Sequence, residues 1–182
     1  YEGEEYLLNL IDTSGHVDFS YEVSRSLASC DGAILVVDAT QGIEAQTLAN
    51  MFLALENNLV IIPVINKIDL PSADIDKVSR ELMNIFGFSK EEIILTSAKT
   101  GEGVKELIEE IIKKVPAPKG NIDNPLQALI FDSIYDSYRG VVIAARIMNG
   151  SLKVGDTIHM IESNVDYIVT ELFINTPKEV SK

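Results

Sequence analysis

Cysteine, tryptophan and positive charge are scarce in this 182-residue chain, which has one Cys, no Trp, and 15 Lys and Arg against 28 Asp and Glu for a formal net charge of −13. A single thiol, Cys30, excludes an internal disulfide and any cysteine-built metal centre. With Ala28 and Asp31 close by, no cation activates it, and it reads as a small half-buried filler. No apolar run approaches the roughly 18 residues of a membrane-spanning helix, and Tyr1 to Tyr6 are polar and acidic where a signal peptide would be basic and then apolar. These features predict an intracellular protein. GxSxG, HExxH and paired Cys/His spacings are all missing, which leaves hydrolase triads and zinc sites without support. The charge is uneven, with 20 acids and 9 bases in residues 1 to 118 and 8 acids and 6 bases in residues 119 to 182. So acidic a surface is repelled by phosphate backbones, and it does not supply most of the affinity for any nucleic acid.

What is present is periodic. Four apolar runs, YLLNLI (6 to 11), AILVVD (33 to 38), VIIPVIN (60 to 66) and IILT (93 to 96), are each followed by a turn signal and a helical pattern. Their continuous apolar character suits strands covered on both faces, as in a parallel sheet. Val104, Leu107, Ile108, Ile111, Ile112 and Val115 form one apolar stripe at helical spacing, as expected of a surface helix packed on a sheet. Ile75, Val78, Leu82, Ile85 and Phe86 repeat that pattern, and Gly87 supplies a left-handed stop. Strands alternating with helices imply an α/β domain with a mostly parallel sheet, expected over residues 1–115.

Residues 116–125, PAPKGNIDNP, read as a linker, with three prolines and no periodicity. Residues 126–182 carry β-like runs, with Asn149-Gly150 as a hairpin signal, and predict a small antiparallel β-barrel domain, incomplete at its end. EGEE at residues 2 to 5 looks like a turn whose first strand is missing, so the sequence is expected to be a fragment of something larger. His159 falls in an alternating β run and is expected to be a strand residue. Arg139, beside Gly140, suits a turn nearly as well as a contact to RNA.

In parallel sheets of this kind, ligands sit beyond the carboxyl ends of the strands. Here those ends are DTSGH, DATQG, NKID and TSAK. In NKID, the Asn66 amide suits a purine N7 and carbonyl, and the Asp69 carboxylate suits the paired N–H donors that guanine has and adenine lacks, while Lys67 offers an alkyl stem to lie along the base. In TSAK, backbone N–H groups suit the guanine carbonyl oxygen, and the small Ala98 permits its approach. Taken alone, TSAK could equally be a helix cap by Ser97 or Thr100, but following NKID in order at a sheet end it points to the base. In DTSGH, Asp12 suits Mg²⁺ held through water, the Gly15 N–H a terminal phosphate, and His16 the positioning of an attacking water. Taken singly, Asp12 would be a helix cap and His16 a surface imidazole.

These stretches resemble the GTP-binding signatures of translational GTPases. The segments 16 to 50, 66 to 74 (NKIDLPSAD), 96 to 104 (TSAKTGEGV) and 131 to 142 (FDSIYDSYRGVV) are similar to the elongation factor 4, or LepA, family in order along essentially the whole chain. The resemblance implies part of a P-loop GTPase-type domain followed by most of a β-barrel domain. It also implies a ribosome-associated GTPase that binds GTP or GDP with Mg²⁺ and hydrolyses GTP during elongation. It assigns Asp12 to the metal, His16 to catalysis, and Asp12, Thr13, Ser14, Gly15, His16, Asn66, Lys67, Asp69, Ser97, Ala98 and Lys99 to the nucleotide. It further implies a cytoplasmic monomer, with peripheral association at the cytoplasmic face of the membrane. Two departures stand out. Ser14 replaces the family's usual Pro and frees φ at that position, and no GxxxxGK followed by Ser or Thr occurs to cradle phosphates, so the fragment is expected to be inactive alone. A non-catalytic guanine-binding or docking module, and a GTPase of the elongation factor G or BipA type, are the alternatives.

Overall fold

A computed structural model describes residues 1–13, 20–174 and 180–181. The chain divides into two compact units, one of Tyr1–Pro118 with Ile130–Ala145 and one of Lys119–Leu129 with Arg146–Lys182.

The first unit is built on β1 (Gly32–Asp38), β2 (Val60–Asn66) and β3 (Ile94–Leu95), all parallel and in chain order. Among the described residues four α-helices accompany them: α1 (Ser20–Ala28), α2 (Ala45–Glu56), α3 (Ile75–Phe86) and α4 (Val104–Lys114). Register aligns Leu35 with Pro63, Val37 with Ile65 and Asp38 with Asn66. On one face, Leu35, Val37, Ala39 and Ile65 pack with Met51 of α2 and with Val78 and Leu82 of α3. Val23 and Leu27 of α1 pack on Ala54 of α2. On the opposite face Ile62 and Val64 of β2 are also buried, and α4 packs against that strand. β2 is thus covered on both faces, which is why VIIPVIN reads as an unbroken apolar run. Helix α3 starts on Asp74, whose carboxylate accepts from the Lys77 N–H, and it stops at Gly87 with φ of 79°, as its sequence predicts.

Two expectations and one alternative reading are corrected. The run 6 to 11 forms no strand, and Leu7 and Leu10 are 85% and 82% exposed. The segment pairs with no described strand, and the outer edge of β1 is likewise unpaired among the described residues. The turn before it does form, with the Glu4 N–H donating to the Tyr1 carbonyl. Neither Ser97 nor Thr100 caps α4, whose N-cap is Gly103 at φ of 72°. Asn149-Gly150, finally, does not join two paired strands. Asn149 Oδ1 accepts from the Asn121 N–H at 3.0 Å, its Nδ2 donates to Gln127 Oε1 at 2.8 Å, and the Gly150 N–H donates to the Asn121 carbonyl at 2.9 Å. The pair closes on the 121 to 127 segment instead, because its amide and its glycine N–H find partners there.

After Lys114 the described strands come in consecutive pairs: β4 (Gln127–Asp136) with β5 (Gly140–Asn149), β6 (Thr157–Met160) with β7 (Val165–Ile168), and β8 (Phe173–Ile174) with β9 (Val180–Ser181). Antiparallel pairing is what the alternating sequence predicts there. Asp136 shapes the β4–β5 turn by accepting from the Tyr138 and Arg139 N–H groups. His159 is a strand residue, with Nδ1 2.7 Å from Asp166 Oδ1 across the β6–β7 pair.

Candidate functional site

Two loops leave the carboxyl ends of β2 and β3 and interlock. Asn66, the last residue of β2, is half-buried, and its Oδ1 accepts from the Ala98 N–H at 3.0 Å and from Thr96 Oγ1 at 3.3 Å. Since a main-chain N–H only donates, the atom facing it must be the amide oxygen, which leaves Nδ2 as the donor of that side chain. Asp69 is held in the same way. Ser97, fully buried, donates its hydroxyl to Asp69 Oδ1 at 2.6 Å and accepts from the Thr100 N–H at 3.2 Å. Main-chain bonds bind the loops to each other: the Thr96 N–H donates to the Ile65 carbonyl at 2.8 Å and the Ile68 N–H to the Thr96 carbonyl at 3.3 Å.

The β3–α4 loop closes on itself through the Ser97 N–H to the Glu102 carbonyl and the Gly101 N–H to the Ser97 carbonyl. Gly103 is required at its end, since φ is 72° and a Cβ would overlap the Leu95 carbonyl oxygen. Ala98 and Lys99 are exposed on this frame. The Ala98 N–H is committed to Asn66, and among the described residues the Lys99 N–H makes no hydrogen bond.

A third element joins from the end of β1. Asp38 stands in register with Asn66, and its Oδ2 pairs with Lys67 Nζ at 2.6 Å. Its Oδ1 accepts from both the N–H and the hydroxyl of Thr40, each at 2.7 Å. The Lys67 ammonium and these Thr40 donors hold the Asp38 carboxyl down from 3.8 to about 2. Lys67 itself has φ of 67°, a left-handed backbone that a non-glycine residue keeps only where its surroundings fix it.

The structure therefore brings together Asn66, Lys67, Asp69, Ser97 and Ala98, with Lys99 next to them. Asp12 and Thr13 lie exposed in a segment without helix or strand, and Asp12 has no hydrogen bond or ion pair among the described residues. Ser14, Gly15 and His16 fall outside the described residues. Sequence reading gave no role to Asp38, Thr40 or Thr96. Asp38 was marked only by its place at a strand end, in DATQG, and the ion pair to Lys67 depends on a register that spacing does not reveal.

Chemically, the cluster offers one amide donor, one oriented carboxylate and a main-chain donor loop, a set suited to the edge of a heterocyclic base. No group of three or more His, Cys, Asp or Glu side chains able to hold a metal occurs among the described residues. A lone carboxylate such as Asp12 suits Mg²⁺, which takes one or two protein carboxylates and fills its other positions with water and substrate phosphates.

Residues 1–117 match the family model for the elongation factor Tu GTP binding domain. The elongation factor 4 of Lactococcus lactis subsp. lactis is 60% identical over 181 residues, which cover 100% of this chain and 30% of the relative. That of Bacillus cereus is 59% identical over 181 residues, with the same coverage of 100% and 30%. The chain thus spans about 30% of the length of these curated relatives. Among solved structures, the bacterial selenocysteine-specific elongation factor EF-Sec superposes with a TM-score of 0.72 at 27% identity, covering 93% of this chain and 30% of that one.

Proposed function

Because the chain belongs to the elongation factor Tu GTP-binding domain family, we propose that it is the guanine-recognising part of a ribosome-associated GTPase of the elongation factor 4 type, which hydrolyses GTP to GDP and phosphate during translation elongation. One observation carries this reading: the β2 and β3 loops share a network in which Asn66 Oδ1 and Asp69 Oδ1 are both taken by protein donors. That leaves Asn66 Nδ2 to donate to the purine N7 and the remaining Asp69 oxygen to accept from guanine N1–H and N2–H. The guanine carbonyl oxygen takes the Lys99 N–H or shares the Ala98 N–H. Adenine has no N–H at N1 and would leave the Asp69 carboxylate unpaired, which is costly at a site built to be paired.

Asp12 would hold Mg²⁺, which when bound neutralises charge on the nucleotide phosphates. The Gly15 N–H would meet the terminal phosphate, with Thr13 and Ser14 lining the same loop. His16 would orient a water for in-line attack on that phosphate, with ribosomal contact completing its placement. The partners are the ribosome and guanine nucleotide. We place the protein in the cytoplasm as a monomer. No helix among the described residues is long and apolar enough to cross a membrane, and peripheral contact at the cytoplasmic face is the one membrane relation the resemblance adds.

The test is made on the full-length protein. His16→Ala should leave GTP affinity within about threefold, a difference below 1 kcal/mol, while ribosome-stimulated turnover collapses. Unchanged turnover would remove the role given to His16. Intact turnover together with no preference for GTP over ATP would remove the guanine reading.

A further inference from the structure

The β1 end contributes a residue that touches neither edge nor phosphate in the reading above, yet it controls one that meets the base. We propose that Asp38 is a positioning residue of the nucleotide site: by holding the Lys67 ammonium it fixes the lysine's alkyl stem as an apolar wall against the face of the purine. The inference rests on the guanine-binding reading of Asn66, Asp69 and the 97 to 99 loop.

Four observations support it. Lys67 Nζ is 2.6 Å from Asp38 Oδ2, while the Lys67 side chain stays 54% exposed and that of Asp38 only 15%, so the charged tip is tethered and the stem remains open to a ligand. Lys67 lies between Asn66 and Asp69, the two residues assigned to the base edge. Its backbone holds φ of 67°, so both ends of the side chain are fixed. The carboxylate is also set before any ligand arrives. Thr40 grips Oδ1 with two donors, the Gln41 and Gly42 N–H groups donate to the Asp38 carbonyl, and the Ile43 N–H donates to Glu81 Oε2 of α3 at 3.2 Å.

Pairing with Asp38 also neutralises the lysine locally, so Lys67 serves as surface and not as a phosphate-binding cation. A wall meets the face of the ring, and the face is the same whatever groups the edge carries. Asp38 should therefore govern affinity for purine nucleotides as a class and leave discrimination among them to Asp69.

The test uses the full-length protein and calorimetric titration with GDP and with IDP, which lacks the 2-amino group. Asp38→Asn should weaken both by the same factor, about tenfold, so that the GDP to IDP ratio holds. Asp38→Glu, which keeps a carboxylate for Lys67, should recover affinity to within about threefold of wild type. In a Lys67→Met background, Asp38→Asn should cause no further loss, since a residue acting through another has nothing left to act on. Asp38→Ser, which keeps an acceptor for Thr40, is measured alongside, so that poor folding of one variant leaves the other to decide. An equal loss in the Lys67→Met background, or no loss in either single variant, overturns the proposal while GDP binding by wild type keeps the guanine reading. Wild type that binds no GDP overturns both.

Discussion

Ser97 Oγ donates to Asp69 Oδ1 across 2.6 Å, so a side chain on the loop after β3 sets the orientation of a carboxylate on the loop after β2. Ser97 is fully buried and also accepts from the Thr100 N–H. Ser97→Ala removes both bonds without adding bulk, and losing two hydrogen bonds of a buried hydroxyl should cost about 1–3 kcal/mol. Thermal denaturation should report a lower midpoint, and GDP affinity should fall with it because Asp69 loses its orienting partner. An unchanged midpoint would mean that the hydroxyl is dispensable.

Two glycines with similar backbone angles should respond differently to alanine. Gly87 ends α3 at φ of 79° with open space where a Cβ would go, whereas Gly103, at φ of 72°, would drive a Cβ into the Leu95 carbonyl. Gly87→Ala carries only the left-handed penalty, about 1 kcal/mol. Gly103→Ala adds displacement of the strand end and should cost at least about 2 kcal/mol more. Denaturant midpoints of the two variants give the comparison, and equal values would contradict the steric reading at Gly103.

Acid should expose the Asp38 pair. Lys67 and Thr40 depress its folded value from 3.8 to about 2, so protons bind more readily to the unfolded chain. The stabilisation is present above 3.8 and is lost as pH falls through the interval toward about 2. The difference in urea midpoint between wild type and Asp38→Asn should be largest near neutral pH, shrink across that interval and vanish below it. A difference constant down to the lower end would show that the pair adds nothing to stability.

Much of this arrangement was legible because local chemistry and tertiary context agree. The stripe from Val104 to Val115 and the Gly87 stop produced α4 and α3 as expected, and the apolar run ending at Asn66 became the doubly covered central strand. Residues 6 to 11 misled because apolar content signals a wish for burial and says nothing about the edge that would pair with it. Asn149-Gly150 misled because a hairpin signal competes with other partners for the same amide, and residues 121 to 127 supplied them. At the site, Asn66 and Asp69 stood out by their side-chain chemistry at a strand end, whereas the bond from the Ser97 hydroxyl to Asp69 did not, because it joins two loops 28 residues apart. Asp38 was not, since its importance comes from sheet register with Asn66 and from a lysine that turns back across the strand ends.

The central claim is that Asp69, held by Ser97, reads the donor edge of guanine. Asp69→Asn in the full-length protein tests it most directly, because an amide presents a donor where the carboxylate had only acceptors and so suits xanthine, which carries a carbonyl at C2 in place of the amino group. Titration with GDP and XDP should show GDP affinity lowered by about 100-fold or more and XDP affinity raised, each such mismatch being worth several kcal/mol. GDP affinity left at the wild-type level, with no gain for XDP, would contradict it.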